Sequence, residues 1–149
     1  HCTSYLGMLH QALLDVSAWV EDGIEPPPSS GYEIRDQQVV LADTAQERQG
    51  IQPVVSLTAD GQPCLRIKSG ETVSLAAHVD LTARMGEVIS CEWRFEGEAD
   101  WQIGSVNETH CYQHPGVYFP TVRVTAGRNP QDTFCRLRNL GSARIIVEA

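Results

Sequence analysis

The 149-residue sequence lacks several features that define whole classes of protein. It has no apolar run of the roughly 18–20 residues that span a bilayer, so we exclude an integral membrane protein. Its only lysine is Lys68, and it has 11 basic and 19 acidic residues, which gives a net charge of −8. Duplex nucleic acid is bound largely through phosphate neutralisation by Lys and Arg. We therefore expect neither nucleic acid nor a membrane surface as a partner.

Signatures of catalysis and metal binding are also scarce. The nucleophile motif G-x-S-x-G does not occur, and the five cysteines form neither a C-x-x-C pair nor a zinc-type cluster with histidine. The sequence thus indicates no cofactor. Cys111 and Cys135 are candidates for a disulfide, since both fall in the later strands. The chain does not start with Met and shows no signal peptide, so we expect a processed product or part of a longer protein.

The N-terminal segment has the pattern of an amphipathic helix over residues 4–22. Apolar side chains recur there at steps of three and four, which predicts one buried face; they are Leu6, Leu9, Leu13, Val16 and Val20. Thr3 or Ser4 is the expected N-cap, and Gly23 the expected C-terminal glycine. Since a lone helix of this length is marginal in water, we expect it to dock on the β-sandwich predicted below or to swap with a second copy, making a homodimer.

A proline-rich linker follows this helix. Pro26-Pro27-Pro28 forbids helical continuation and favours extended geometry, and Ser29-Ser30-Gly31 completes the linker. We place a domain boundary here, with residues 1–31 before it and 32–149 after it. The first segment carries four acids and no Lys or Arg, so half of the net charge lies on about a fifth of the chain.

Residues 32–149 show the period-two alternation of β-strands. Val73, Leu75, Ala77 and Val79 point one way, and Cys91, Trp93 and Phe95 share a face. Short Val- and Ile-rich segments separated by turn residues predict an antiparallel β-sandwich of about seven strands. The segments are Gln38–Leu41, Val54–Thr58, Leu65–Lys68, Val73–Leu81, Val88–Phe95, Tyr118–Ala126 and Ala143–Val147, with further pieces near Tyr112 and Phe134.

Two motifs in this β region resemble the PKD (polycystic kidney disease) domain, an immunoglobulin-like sandwich. They are Cys91-Glu92-Trp93-Arg94-Phe95-Glu96-Gly97-Glu98 and the segment from Thr109 to Val124, which contains His110-Cys111-Tyr112 and Pro115-Gly116-Val117-Tyr118. Trp93 and Phe95 match the family's core pair, whereas Glu96-Gly97-Glu98 departs from its usual Gly-Asp-Gly turn. The resemblance covers about residues 52–149 and implies a mainly β, immunoglobulin-like fold.

The N-terminal segment is similar to the end of an α/β-hydrolase of the tannase and feruloyl-esterase type. The similarity rests on His1-Cys2 and on the helix end Trp19-Val20-Glu21-Asp22-Gly23-Ile24-Glu25-Pro26-Pro27. It implies that His1 matches the triad histidine, the general base, and that Cys2 matches a disulfide cysteine. A base without a nucleophile catalyses nothing, so we expect no enzyme activity from this chain alone.

Three functions are compatible with these patterns. The first is a non-catalytic PKD-like accessory module at the C-terminus of an exported or periplasmic hydrolase, contacting carbohydrate, protein or another domain. The second is a terminal esterase fragment that contributes His1 to an active site. The third is a free-standing interaction protein that dimerises through its N-terminal helix.

Candidate ligand-binding residues lie in the first PKD-like motif and directly after it. Glu96, Glu98 and Asp100, with Glu92 nearby, offer the hard oxygen ligands that calcium prefers, although their spacing matches no known calcium loop. Trp101 is the expected exposed aromatic for ligand binding. For His110 we expect a packing role.

Overall fold

The computed structural model describes residues 3–149, so His1 and Cys2 lie outside the described residues. The elements in chain order are α1 (Leu6–Asp22), β1 (Tyr32–Arg35), β2 (Gln38–Leu41), α2 (Ala45–Arg48), β3 (Val54–Ala59), β4 (Cys64–Lys68), β5 (Thr72–Asp80), a 3₁₀ turn (Ala83–Met85), β6 (Glu87–Arg94), β7 (Gln102–Gly104), β8 (Asn107–Cys111), β9 (Gly116–Tyr118), β10 (Thr121–Gly127), β11 (Leu137–Ser142) and β12 (Arg144–Glu148). The predicted fold class, mainly β with one long N-terminal helix, is confirmed.

The strands form four small sheets. Their orders are β1-β2, β11-β10-β6-β7, β4-β12-β9 and β3-β5-β8. Most pairs are antiparallel, as predicted, but β12 runs parallel to β4, with Ile145 opposite Leu65. The predicted strand Tyr118–Ala126 is divided into β9 and β10 around Pro120, which has no N–H to donate to a ladder. The piece predicted near Phe134 is not a strand but a turn, in which the Phe134 N–H bonds Asp132.

The described chain groups by its contacts into two compact units. The first unit contains the chain up to Val54 together with Asp80–Ile89 and Thr125–Asn139, and the second contains Val55–Val79, Ser90–Val124 and Leu140–Ala149. The sequence predicted a boundary near residue 31, between two modules of different ancestry. Grouping by contacts does not test ancestry, so this boundary stays a prediction.

The second unit is built on one apolar core. Alternate side chains of five strands, β3, β5, β6, β10 and β12, enter it, because each strand presents one face inwards. Trp93, Val73 and Val122 are fully buried, as the alternation predicted. At about 25 cal/mol per Å² of apolar area, burial of these large side chains is the main force that holds the sheets together. The buried members are Leu57, Ala59, Val73, Leu75, Cys91, Trp93, Phe95, Tyr112, Val122, Val124, Ala143, Ile145 and Val147.

Helix α1 belongs to the first unit; it ends at Asp22, as predicted, and begins at Leu6, two residues after the predicted start. Gly23 adopts the left-handed conformation of a C-terminal glycine (φ 71°), and its N–H bonds the carbonyl of Trp19. The N-terminus differs from the prediction. Tyr5 is the N-cap and has no side-chain cap, while Ser4 accepts a 3.4 Å hydrogen bond from the Leu6 N–H.

The face on which α1 docks is not the predicted apolar one. Gly7, Gln11 and Asp15 are its buried residues, whereas the leucine and valine stripe that the spacing predicted to be buried is exposed. Asp15 forms a bidentate ion pair with Arg128, and this pair selects the polar face. The prediction that the stripe is buried within this chain is therefore wrong, while docking of the helix on the sandwich stays a prediction.

The β1-β2 hairpin was only half predicted. Its two-residue turn places Asp36 and Gln37 at positive φ (48° and 64°), the type I′ geometry whose backbone twist suits a hairpin. All eight strand residues are exposed. Because neither face is buried, β1 carries no alternation that could have revealed it.

Gly7 allows the close approach of α1 to the segment Thr125–Asn139. A methyl group at Gly7 would overlap the carbonyl oxygen of Arg136. We expect Gly7→Ala to lower the free energy of unfolding by about 1–3 kcal/mol through overpacking, although alanine favours an isolated helix by up to about 1 kcal/mol. Urea denaturation measures this. Ala12→Gly, on the exposed side, is the control for propensity alone, and a stabilised Gly7→Ala variant would contradict the docked position.

Candidate functional site

The aromatic residues of the PKD-like motifs form a continuous row in the second unit. The rings of Trp93 and Phe95 stack with their centroids 5.7 Å apart, and Phe95 stacks on His110 at 4.6 Å. Tyr112 follows, edge-on to His110 at 4.7 Å, and then Tyr118 at 4.8 Å. Such contacts add to the stabilisation from burial alone.

Polar atoms in this row have partners inside the unit. The Trp93 indole N–H donates to the carbonyl of Ser105 at 2.8 Å. The Tyr112 hydroxyl donates to the carbonyl of Phe95 at 3.4 Å, and burial raises the pKa of Tyr112 well above its ordinary value. The motif residues are therefore used in the scaffold, and His110 has the packing contacts that we expected for it.

The acidic turn after β6 is organised around its own backbone. One oxygen of Glu98 accepts hydrogen bonds from the N–H groups of Phe95 (2.9 Å) and Glu96 (3.0 Å). Burial pushes the pKa of Glu98 upwards, but these backbone hydrogen bonds and the charge of His110 outweigh it and leave the pKa below its ordinary value. Glu96 is paired with His110, with 2.8 Å between Oε1 and Nε2.

The calcium prediction rested on Glu96, Glu98 and Asp100. Glu98 and Glu96 direct oxygens to the backbone and to His110, and Asp100 is exposed. Within residues 3–149, no three acidic, histidine or cysteine side chains are grouped as ligands for a metal ion. Calcium binding stays a prediction without a preformed ligand set in that range.

Trp101 was predicted to be exposed, but it is partly buried, because it lies among charged side chains on β6 and β10. The guanidinium carbons of Arg94 and Arg123 each lie 4.4 Å from the centroid of its ring, within cation–π distance. Arg123 also makes a bidentate pair with Glu92, at 2.9 and 2.7 Å. We call Glu92, Arg94, Trp101, Ile103 and Arg123 the Trp101 face.

The sequence predicted Trp101 as a ligand-binding residue but did not identify the side chains around it. Arg94 alternates with Trp93 and Phe95, so the same period of two that buried those rings also predicts Arg94 on the opposite face. Ile103 is opposite Glu92 across β6 and β7 and is 88% exposed. The Trp101 face thus combines the exposed side chain of Ile103 and the partly exposed ring of Trp101 with two guanidinium groups.

The remaining predicted positions are His1, Cys2 and the cysteines that were considered for a disulfide. The catalytic candidate His1 and the disulfide candidate Cys2 lie outside the described residues. Cys111 and Cys135 were candidates for a disulfide, but both are free thiols, as are Cys64 and Cys91. Burial raises the pKa of Cys91, which fits an inert core thiol better than a nucleophile.

Comparison with known proteins gives matches among solved structures. No protein-family model and no curated protein matches the sequence. Among 18 matching chains of solved structures is the PKD1 domain of Vibrio anguillarum Epp. It is 18% identical with a TM-score of 0.42, and the match covers 65% of this chain and 96% of that domain.

The lowered pKa of Glu98 predicts a particular dependence of stability on pH. Its carboxylate stabilises the fold above the pKa of the unfolded state, about 4.3, and this contribution is lost as the pH falls through the lower folded-state pKa. We expect Glu98→Gln to lower the free energy of unfolding at pH 7 by about 1 kcal/mol and to weaken its decline in acid. Urea titrations between neutral and acidic pH measure both effects.

Asp100→Asn provides the control for this prediction. It removes an exposed carboxylate from the same turn, and we expect a change of less than about 0.5 kcal/mol. Equal effects of the two substitutions at every pH would show that the backbone hydrogen bonds of Glu98 do not stabilise the turn.

Proposed function

We propose that the chain is a non-catalytic, PKD-like accessory module that holds a ligand-contacting face on a rigid β-sandwich. One observation carries this proposal: the motif aromatics Trp93, Phe95 and Tyr112 are buried against one another in the core. Residues used in this way build a scaffold and are not available to reacting groups. We therefore propose that the surface of the module functions by contacting a partner.

We further propose that the module belongs to an exported hydrolase of the esterase type. The support is the similarity of His1-Cys2 and of the end of α1 to the last segment of such enzymes. Helix α1 and the Gly23 cap have the form that this similarity implies. Neither helix within residues 3–149 has the length and apolar character that a membrane-spanning segment requires.

The Trp101 face is the proposed contact surface, with polysaccharide as its ligand. The exposed side chain of Ile103 and the partly exposed ring of Trp101 offer apolar contact. The guanidinium N–H groups that are not bonded to Glu92 or to the carbonyl of Ala99 offer donors for hydroxyl oxygens. The cation–π contacts and the Arg123–Glu92 pair hold these groups in one arrangement before any ligand arrives. Preorganisation of this kind lowers the entropic cost of binding.

Retention on insoluble arabinoxylan tests this surface. We expect the chain to be depleted from solution by the polysaccharide and Trp101→Ala to lose most of that binding, because the substitution removes the central apolar contact. Phe119→Ala is the matched control, since Phe119 is an exposed aromatic residue of the same unit outside the Trp101 face. If the unmodified chain is not depleted, or if both variants lose binding equally, polysaccharide binding at this face is wrong.

The non-catalytic part of the proposal has its own test. We expect the chain to hydrolyse a p-nitrophenyl ester no faster than buffer, because a general base without an activated nucleophile cannot form an acyl-enzyme. Release of p-nitrophenol measures this. Turnover that His1→Ala abolishes would overturn the proposal in favour of the esterase-fragment alternative.

A further inference from the structure

The exposed stripe of α1 has the spacing of a helix-pairing seam. Its residues are separated by three, four, three and four positions, the a/d repeat by which two helices pack knobs into holes. Their exposed fractions range from 47% for Leu9 to 77% for Val20. A soluble protein seldom leaves so continuous an apolar stripe uncovered. The five residues, here called the α1 seam, are Leu6, Leu9, Leu13, Val16 and Val20.

The docked face prevents this chain from covering the seam by rotation of the helix. At 100° per residue, Gly7, Gln11 and Asp15 lie on the side of α1 opposite to the seam. The Asp15 side chain is only 10% exposed and is held by Arg128 and by Gln11, whose Nε2 lies 3.1 Å from it. Rotation would separate a largely buried ion pair and leave unpaired charges, which is strongly unfavourable.

The flanks of the seam suit a second copy of the same helix. Tyr5, Ala12 and Trp19 lie along one side, and His10 and Ser17 lie along the other. None of these flanking residues is an acid, although Ser17 donates a 2.9 Å hydrogen bond to the carboxylate of Glu21 near the C-terminal end of the helix. Along the rest of the seam, two copies can approach without the like-charge repulsion that two strongly acidic segments would otherwise produce.

The placement of the acids favours an antiparallel pair. Glu21 and Asp22 are at the C-terminal end of α1, and the first turn has no acid. Carboxylates are unfavourable at their own helix C-terminus but favourable near the positive N-terminal end of another helix. In an antiparallel pair, these acids lie near the partner's N-terminus, whereas a parallel pair would bring the acids of both copies together.

We propose that α1 is a dimerisation helix, whose seam packs antiparallel on the α1 seam of a second copy of this chain. The proposal rests on the helix alone and does not depend on ligand binding at the Trp101 face. Seventeen residues span about 25 Å, which places the contact at the small end of specific interfaces. The dimer is therefore weak and concentration-dependent.

Sedimentation velocity of the full chain over a series of concentrations tests the proposal. We expect a monomer–dimer equilibrium, and Leu13→Glu to weaken dimerisation at least about tenfold by placing a charge in the seam. Leu14→Glu is the matched control, because Leu14 is similarly exposed, at 54% against 59% for Leu13, but lies outside the seam. We expect it to dimerise like the unmodified chain, with unchanged circular dichroism for both variants.

Photo-crosslinking identifies the partner and its direction. With p-benzoylphenylalanine in place of Val20, we expect mass spectrometry to find cross-links to the N-terminal half of α1 in the second copy. Cross-links to the partner's own position 20 would overturn the antiparallel arrangement. A strict monomer at millimolar concentration, or equal weakening by Leu13→Glu and Leu14→Glu, would overturn dimerisation through the seam.

Discussion

The ion pair between Asp15 and Arg128 determines how the first unit presents its N-terminal helix. Arg128 donates from both terminal nitrogens to the two carboxylate oxygens, and its Nε donates to the carbonyl of Arg84 at 2.6 Å. The guanidinium group thus links α1 to the 3₁₀ turn. A largely buried pair of this kind is costly to break, so the polar face of α1 is held inwards and its apolar face remains outside. The proposed partner surface follows from this constraint.

The second unit depends on a different kind of interaction. Its row of aromatic rings, from Trp93 through His110 to Tyr118, joins strands that are distant in sequence. The acidic turn beside the row is closed by Glu98 on the backbone and by Glu96 on His110. Two of the three carboxylates predicted as metal ligands, Glu96 and Glu98, therefore have structural partners. The surface chemistry is concentrated at Trp101, where two arginines approach one ring.

Much of the fold was predictable because it depends on local periodicity. Alternation identified the buried faces of β5 and β6, and Gly23 marked the end of α1 through its freedom to adopt positive φ. Elements without a buried face could not be predicted in this way, and β1 is an example. The break at Pro120 was readable in principle from its missing N–H, but the long apolar segment around it favoured one continuous strand.

The candidate sites were harder to predict, because they depend on side chains far apart in the chain. Trp101 could be named from its residue type, but its contact with Arg123 depends on how β6 and β10 are placed. Likewise, the alternation that buries Trp93 places Arg94 outside, yet it does not show which ring Arg94 covers.

Sequence patterns were enough to predict that α1 is an amphipathic helix, that a mainly β region follows it, and which strand faces are apolar. These properties follow from the period of 3.6 residues in a helix and of 2 residues in a strand, which are set by local backbone geometry. Which face of α1 is buried could be learned only from the folded molecule. Burial of a helix face depends on what lies opposite to it, and here that is Arg128, 113 residues along the chain from Asp15. A non-local charge pair overruled the local apolar pattern, and for this reason the stripe that predicted a core became a surface.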